Sequence, residues 1–362
     1  GGTNEAFSSL TGPLFFTIGF SANNSSASDC LFNCGQQPFV DTPPTGYVAL
    51  NTQNLPTPTI SNGANYMAAT TYTGTGATQT IANSGNNAGA ISFKPDLVWI
   101  KSRSVATNNN LFDSVRGTTN YLISNSTAAE ATNANTLTAF GTIGFTLGSD
   151  AGAIGVNVNA ATYVGWQWKA GGTASSNTNG SITSTVSAGA TQGFSVVTYT
   201  GTGSAATVGH GLGVAPSMII VKTRNASNDW AVYHASIGAT KFLFLDSTAT
   251  AGTSITVWNN TAPTSSVFSI ATDFSVNQST ATYVAYCFSA VAGYSAFGSY
   301  TGNGSADGPF VYCGFRPRFI MVKRTDAAGY GWFMWDSSRN TYNAVDLYLQ
   351  ANASTAEQTF TS

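Results

Sequence analysis

The residues best suited to chemistry are a lysine, an aspartate and an arginine that recur in the same order at two places. They are Lys101, Asp113 and Arg116 at the first place and Lys323, Asp336 and Arg339 at the second. A lysine that ends an apolar strand can bury its stem and seek a carboxylate, which predicts either a binding or catalytic pair or a structural ion pair. A third occurrence keeps Lys222 but carries His234 in place of the acid. This favours a structural pair that holds one hairpin against the next.

Familiar catalytic patterns do not occur in this sequence. The carboxylates are sparse and mostly single, and the G-x-S-x-G, H-E-x-x-H, P-loop and Rossmann patterns are missing. The stretch "GHGLG" (209–213) is similar to an oxyanion-type glycine loop, but it stands where the other occurrences of the pattern carry turn residues, so a turn is predicted. We therefore predict a protein that is not an enzyme, with no catalytic, cofactor-binding or metal-binding residue.

The 7 tryptophans are the other chemical resource, because exposed indole rings stack on sugars. In "YVGWQW", Trp166 and Trp168 share one strand face with Val164, which favours a place in the core. Sugar stacking is the minority alternative for each tryptophan. The set comprises Trp99, Trp166, Trp168, Trp230, Trp258, Trp332 and Trp335.

Composition bounds the class of protein. Charged residues make up only 8% of the chain, against roughly 25% in a typical soluble domain. The 13 basic and 15 acidic residues form no basic stripe for nucleic acid, and no apolar run approaches the length of a membrane span. No signal peptide is visible. An uncharged surface suits a protein fixed within an assembly or working outside cells.

The cysteines do not form a framework. Cys30 and Cys34 would lie about 13 Å apart on one strand, too far for a disulfide, although a turn between them could change that. Their spacing does not make a zinc site. Free structural thiols are predicted, and whether any cysteines pair is left open.

One short phrase recurs along the chain: "YTGTG" stands at 72–76 and 199–203, and "YTGNG" at 300–304. An apolar segment with proline near its start and lysine near its end follows each phrase, and further blocks follow in the same order and spacing. We therefore predict three tandem copies, with each phrase ending the first strand of its copy. A phosphate-binding loop is the alternative, but it would need a helix after the glycines, which these residues do not favour.

Each copy contains several short strands joined by Asn, Gly and Ser turns, which predicts an all-β fold of tandem antiparallel β-sandwich (jelly-roll-like) domains. "VNVNAATYVGWQWKA" (156–170) and "FSVNQSTATYVAYCFSA" (274–290) close the first two copies. The third copy has no such segment, so we expect a fragment. The predicted divisions are a partial sandwich over 1–56, a linker over 57–67, copy one over 68–172, a linker over 173–192, copy two over 193–293 and an incomplete copy three over 294–362.

Two stretches resemble known families. "CLFNCGQQPFVDTPPTGYVALNTQNLP" (30–56) is similar to the C-terminal end of the SPRY-type concanavalin-like domains of phage proteins, from which it departs at Cys34, Gln37 and Tyr47. Residues beyond 65 resemble a tandem domain of unknown function in structural proteins of marine tailed phages. The most specific parts are "FGSYTGNGSADGPFVYCGFRPRFIMVKRTD" (297–326) and "WFMWDSSRNTYN" (332–343).

The resemblance implies a structural protein of the bacteriophage virion, most often a tail fibre or surface appendage that contributes to host attachment. The expected location is the virion, and the expected partners are other virion proteins, copies of the chain itself and a host surface glycan or protein. Neither nucleic acid nor membrane insertion is expected. A surface-polysaccharide depolymerase and a secreted bacterial adhesin or lectin are the alternatives. Tail fibre, baseplate and capsid decoration are not distinguished.

Overall fold

The computed structural model describes residues 58–83, 92–150, 152 and 154–360. The chain divides into two compact units, Gly1–Thr57 and Pro58–Ser362. The SPRY-like segment, the predicted division at 1–56 and both Cys30 and Cys34 lie outside the described residues. The second unit contains all three copies of the repeat.

The described residues are almost entirely β. They form 23 strands in antiparallel sheets, with two short α-helices and one 3-10 turn at Gly63–Asn65. This confirms the all-β sandwich prediction.

Copy one has a main sheet of six strands in the order β1-β9-β3-β4-β5-β6 and a second layer of three strands, β2-β8-β7. The strands are β1 (Met67–Thr73), β2 (Gln79–Ala82), β3 (Leu97–Ser102), β4 (Asn110–Asp113), β5 (Asn120–Ile123), β6 (Ala131–Thr132), β7 (Leu137–Gly141), β8 (Gly144–Leu147) and β9 (Thr162–Trp168). Phe112, Phe145 and Tyr163 are buried between the two layers. Copy one is therefore a sandwich.

Copy two repeats this plan with a main sheet of eight strands in the order β10-β11-β12-β19-β14-β15-β16-β17. The elements of the main sheet are β10 (Ser175–Asn177), β11 (Ser184–Gly189), β12 (Phe194–Thr200), β14 (Met218–Thr223), β15 (Ala231–His234), β16 (Lys241–Phe244), β17 (Gly252–Thr253) and β19 (Thr282–Phe288). The second layer consists of β13 (Ala206–Gly209), α1 (Ile255–Trp258), β18 (Val267–Ile270) and α2 (Phe274–Asn277).

The predicted linker over 173–192 is wrong, because β10 and β11 lie within it. β11 pairs with β12 from Thr185 opposite Thr198 to Gly189 opposite Phe194. β10 is the edge strand of its sheet and has no buried residue, so a polar sequence there is compatible with a strand as well as with a linker.

Copy three is smaller in the described residues. Its sheet has four strands in the order β20 (Phe319–Lys323), β21 (Trp332–Asp336), β22 (Leu347–Gln350) and β23 (Gln358–Thr359). The phrase at 300–304 lies in no strand. The prediction that each phrase ends a first strand therefore holds for copies one and two and is wrong for copy three.

The tyrosines of the phrase show why the third copy differs. Tyr72 stacks on Tyr163, and Tyr199 stacks on Tyr283, in both cases at 5.0 Å between ring centroids and 13° between planes. Tyr163 and Tyr283 lie on β9 and β19, the closing strands of the first two copies. Since the described residues of copy three include no closing strand, Tyr300 has no such ring to stack on and is 53% exposed.

The glycines of the phrase have two different roles. A Cβ on Gly201 would lie 2.3 Å from the carbonyl oxygen of Gln278, so this position allows no side chain. Gly203 has a φ of +75°, which favours glycine. Gly74 of copy one is confined in the same way as Gly201. The recurrence of the phrase thus follows from close backbone approach and turn geometry.

The amides of this turn are all engaged within the protein. Gly201 N–H donates to Ala281 O at 2.8 Å, Thr202 N–H to Asn277 Oδ1 at 2.7 Å and Gly203 N–H to Asn277 O at 2.9 Å. A phosphate cradle needs such amides to face the anion. The alternative of a phosphate-binding loop is therefore rejected for copy two.

The three main sheets share one apolar core. Copy one contributes Trp99, Trp166 and Trp168, copy two contributes Ile220, Trp230 and Tyr286, and copy three contributes Trp332, Met334 and Leu349. The same backbone hydrogen bond joins each copy to the next. It runs from the amide of Glu130 to the carbonyl of Arg224 (2.7 Å), from Ala251 to Thr325 (3.0 Å) and from Glu357 to Arg103 (2.8 Å). The copies therefore form a closed ring around the core.

The different surroundings of Gly201 and Gly302 predict different effects for two matched variants. Gly201→Ala should lower the free energy of unfolding by about 1–3 kcal/mol, because the new Cβ meets a backbone oxygen that cannot move freely. Gly302 is the matching glycine of copy three, and a Cβ there meets nothing within 4 Å. Gly302→Ala should therefore change stability by less than about 0.5 kcal/mol. Urea unfolding of both variants measures this, and equal losses would contradict the assignment.

Candidate functional site

The lysines of the candidate set do not contact the aspartates. Lys101 is buried, and its Nζ donates to Thr107 O at 2.8 Å and to Ser354 O at 3.1 Å. The expected pairing with Asp113 is wrong because of strand register: β3 and β4 place Asp113 opposite Leu97, at the far end of the hairpin. The lysine instead joins a loop of its own copy to copy three.

Lys222 is held in the same way at the next joint. Its Nζ donates to Asn228 O at 2.5 Å and to Thr127 O at 2.8 Å, which joins copy two to copy one. Burial lowers the pKa of Lys101 and of Lys222 to about 8. Both amines are enclosed by backbone carbonyl groups, so they act as hydrogen-bond donors rather than as accessible nucleophiles.

The aspartate and arginine of copy one form a buried ion pair. Arg116 Nε donates to Asp113 Oδ2 at 2.5 Å, and both side chains are fully buried. Arg116 also donates to Glu130 Oε2 at 2.7 Å and to Leu111 O at 2.9 Å. The hydroxyl of Tyr286, from the closing strand of copy two, donates to Asp113 Oδ2 at 2.8 Å. Asp113 therefore accepts hydrogen bonds from Arg116 of copy one and from Tyr286 of copy two.

Copy three contains the same arrangement. Arg339 Nε donates to Asp336 Oδ2 at 2.6 Å, and its Nη1 donates to Glu357 Oε2 at 3.0 Å. The indole of Trp166, from the closing strand of copy one, donates to Asp336 Oδ2 at 3.0 Å. The two sets thus agree in their partners as well as in their spacing.

A second arginine extends each network into the neighbouring copy. Glu130 of copy one also accepts from Arg224 of copy two at 2.8 Å, and Glu357 of copy three accepts from Arg103 of copy one at 2.8 Å. Sequence reasoning missed both glutamates. The available signal was their shared place at the ends of "STAAE" (126–130) and "ASTAE" (353–357).

The pKa values of the network follow from burial and from pairing. Burial by itself would raise the pKa of Glu130, but hydrogen bonds and charge from Arg224 and Arg116 lower it below the ordinary value. Burial would lower the pKa of Arg116, and the charge of Asp113 together with Tyr286 and Glu130 raises it above the ordinary value instead. Glu130 and Arg116 therefore keep their charges at neutral pH.

Copy two lacks the charges at this position. His234, Ile237 and Ala251 stand where copy one has Asp113, Arg116 and Glu130. His234 Nδ1 accepts from Ser236 N–H at 3.2 Å, and burial lowers the pKa of its imidazole. One of the three equivalent joints thus forms without an ion pair. This indicates that the ion pairs at the other two joints hold the copies together rather than take part in a reaction.

Six of the 7 tryptophans are buried, as the core interpretation predicted. Two of them brace the copies: Trp230 Nε1 donates to Ile123 O at 2.9 Å, and Trp332 Nε1 donates to Phe244 O at 2.8 Å. Trp335 is the half-buried exception. It stacks on Phe333 on the outer face of the third sheet, where copies one and two have a second layer.

The "GHGLG" stretch connects β13 to β14, and His210 within it is buried. Its Nε2 lies 3.1 Å from Thr264 O, and its Nδ1 accepts from Leu212 N–H at 3.2 Å. Both ring nitrogens are therefore engaged with backbone groups. The stretch is a turn, as predicted, and not an oxyanion hole.

Asp246 is the acid with the most unusual environment. Burial and the nearby charge of Asp229 raise its pKa to about 6, although a hydrogen bond from Trp230 N–H at 3.0 Å and the charge of Lys222 oppose the rise. A carboxyl group with such a pKa could act as a general acid. Its counterparts are Asn125 and Asn352, which accept the equivalent backbone N–H bonds and cannot ionise. The shared role is structural.

Other chemical groups are few in the described part of the chain. It contains no cluster of three or more His, Cys, Asp or Glu residues that could hold a metal ion. None of its helices is long and apolar enough to span a membrane. Cys287 and Cys313 are free thiols, and burial raises the pKa of Cys287 to about 12, which makes it unreactive.

A family model described as a domain of unknown function, DUF7483, matches residues 62–362. The chain belongs to this family. No curated protein matches the chain, and no solved structure matches it. The matched range nearly coincides with the compact unit Pro58–Ser362, so the three copies together make up the unit that defines the family.

The ion network predicts a loss of stability on neutralising Glu130. Glu130→Gln should lower the free energy of unfolding at pH 7 by about 1–3 kcal/mol, because Arg116 stays buried with one charge partner fewer. The folded-state pKa of Glu130 lies below its unfolded value of about 4.3, so its contribution is present above that pH and is lost as the pH falls through the folded value. Denaturant unfolding should show that the difference in the free energy of unfolding between the wild type and Glu130→Gln is smaller below pH 4 than at pH 7.

Asp326→Asn is the matched control for this variant, since it removes an ion pair with Arg324 that is exposed to solvent. No measurable change is expected for the control. A loss as large in Asp326→Asn as in Glu130→Gln would contradict the assigned role.

Asp246→Asn should have the opposite effect. An acid whose folded pKa is raised stabilises the fold below its unfolded pKa of about 3.9, and this contribution is lost as the pH rises through the folded value near 6. Asp246→Asn should therefore be more stable than the wild type by about 1–3 kcal/mol at pH 7 and equal to it below pH 4. Thermal unfolding across this range checks the sign, with the exposed Asp307→Asn as control. A less stable variant at pH 7 would contradict the prediction.

Proposed function

We propose that this protein is a structural component of a bacteriophage virion, a tail fibre or other surface appendage that contributes to host attachment. The observation that carries the proposal is the location of the charged groups. The residues best suited to chemistry are buried at the joints between copies, where Asp113, Arg116 and Glu130 bind one another and the next copy. Charged groups that are used to join the copies support a structural role for the protein.

The composition supports the same function. A net charge of −2 with only 8% charged residues leaves a surface of Ser, Thr, Asn and Gly. Such a surface has little electrostatic repulsion between copies, which suits a part fixed in an assembly. The partners under this proposal are other virion proteins, further copies of the chain and a glycan or protein of the host surface.

A surface-polysaccharide depolymerase is the second candidate, and Asp246 is the observation that favours it. With a pKa of about 6 and Asp229 nearby, Asp246 has the property of a glycosidase acid. The equivalent asparagines of copies one and three argue for a structural role instead. Purified protein incubated with host surface polysaccharide should release no oligosaccharide. Release that is abolished by Asp246→Asn would favour the depolymerase.

Location on the particle tests the main proposal. Antibodies raised against the purified protein should label intact phage particles at the tail or at another surface appendage in electron micrographs. The full chain should also compete with phage for adsorption to host cells, in proportion to its concentration. Deleting one copy would expose the apolar faces of the others, so the intact chain is the right reagent for both measurements.

The two readouts separate the parts of the proposal. Particles without label would overturn the virion assignment, and protein found free in the medium would favour a secreted adhesin or lectin. Labelled particles whose adsorption is unaffected by excess protein would keep the structural role and reject host contact by these residues.

A further inference from the structure

The three joints of the ring share one backbone hydrogen bond but differ in their side chains. The shared bond runs from Glu130 to Arg224 in joint one–two, from Glu357 to Arg103 in joint three–one and from Ala251 to Thr325 in joint two–three. The backbone therefore closes all three joints in the same way, and a difference in their strength must come from the side chains around this bond.

Two of the joints are closed by an ion pair between copies. Glu130 accepts from Arg224 Nε at 3.1 Å and from Nη2 at 2.8 Å, and Glu357 accepts from Arg103 Nε at 3.0 Å and from Nη2 at 2.8 Å. No side chain of the two pairs exposes more than 25% of its surface. Both pairs are bidentate and mostly shielded from water, which is the geometry in which a charge-assisted hydrogen bond is strongest.

Joint two–three has uncharged residues at both of these positions. Ala251 stands where the other joints have a glutamate, and Thr325 stands where they have an arginine, so no ion pair can form between them. The neighbouring Arg324 donates from Nε to Oδ1 of Asp326 in its own copy at 2.8 Å, on the exposed surface. This arginine therefore adds nothing to the joint.

The lysine of copy three also differs from its counterparts. Lys101 and Lys222 each donate a hydrogen bond to a carbonyl group of the neighbouring copy. Lys323 donates instead to Arg324 O and to Tyr330 O, both at 2.9 Å and both in copy three. A second charged contact that crosses the other two joints thus stays within one copy here.

The polar contacts that remain at joint two–three are neutral. Besides the shared bond they are Gly329 N–H to Thr248 O at 3.0 Å and Trp332 Nε1–H to Phe244 O at 2.8 Å. Ile237 and Ala251 pack against the shared core, but both are only half-buried. Since neutral hydrogen bonds are weaker than charge-assisted ones, this joint is the weakest of the three.

We propose that the ring opens at joint two–three while the other two joints stay closed, and that the uncharged pair Ala251 and Thr325 determines where it opens. Opening breaks the backbone bonds at Ala251 and Gly329 and gives water access to this side of the shared core. Such local opening occurs where a structure has its least stable contacts, and it needs no unfolding of the copies themselves.

Hydrogen exchange on the full wild-type chain tests the proposal, because the joints offer equivalent amides. After correction for the intrinsic rate of each amide, Ala251 and Gly329 should exchange roughly tenfold faster than Glu130, Asn228 and Glu357, as expected when a charge-assisted contact is missing. The rates should not depend on protein concentration, since the opening occurs within one chain.

A rescue variant separates the effect of the missing pair from other differences between the joints. Ala251→Glu combined with Thr325→Arg should restore the bidentate pair and slow exchange at the amide of residue 251 by roughly tenfold. Neither change by itself should slow it, because one charge without its partner makes no pair. Circular dichroism establishes that the three variants fold.

The converse change and its control use two arginines. Arg224→Thr copies the residue of joint two–three into joint one–two and should speed exchange at the amide of Glu130. Arg324→Thr removes an arginine that pairs only within its own copy, so exchange at the amide of Ala251 should not change.

Four outcomes would overturn the proposal. They are equal protection at the three joints of the wild type, no slowing in the double variant, the same slowing in a single variant, and exchange at Ala251 that changes with protein concentration. The last result would show that the joint opens by association between chains rather than within one ring.

Discussion

A β-sheet that is apolar on both faces must be covered twice, and this constraint governs the whole unit. Every residue of β3 and of β14 is buried. Copies one and two each cover one face of the main sheet with a second layer of their own, in which Phe112 and Phe268 are buried. The other face can be covered only by the remaining copies. The shared core therefore depends on all three copies being present together.

The buried charges act within this constraint. Burying an aspartate and an arginine costs solvation energy that pairing recovers only when the geometry is good. Here Asp113 and Arg116 are fully buried. Arg116 pairs with Glu130, and Asp113 accepts a hydrogen bond from Tyr286 of copy two, which forms only when the copies are packed as they are in the ring. An incorrect pairing of copies would leave these charges buried without partners. The network therefore specifies which face of each copy meets the next, while the apolar core supplies most of the driving force.

Much of the fold could be predicted from the sequence, because repeated spacing reflects repeated structure. The strands before the glycines, the buried tryptophans and the turn at His210 followed from local patterns. The contacts of Lys101 could not be predicted, since they depend on strand register and on Ser354, which is distant in sequence. The segment 173–192 was misassigned because edge strands and linkers have similar compositions.

The third copy marks another limit of sequence patterns. Tyr300 stands in the same phrase as Tyr72 and Tyr199, yet it does not share their structure. In copies one and two the first strand pairs with the closing strand, so the phrase by itself does not establish a strand. Likewise, Trp335 follows the pattern of a sandwich strand, but the described residues do not include a second layer to cover it.

The contact between Glu357 and Arg103 has a consequence for how such proteins can grow. It returns the third copy to the first, so a fourth copy would find no vacant side. Open repeat arrays lengthen by single repeats, because each new repeat stacks on the last one. In this ring the ends already meet, so a single added copy would have to break the joint between Glu357 and Arg103 before it could pack against the others.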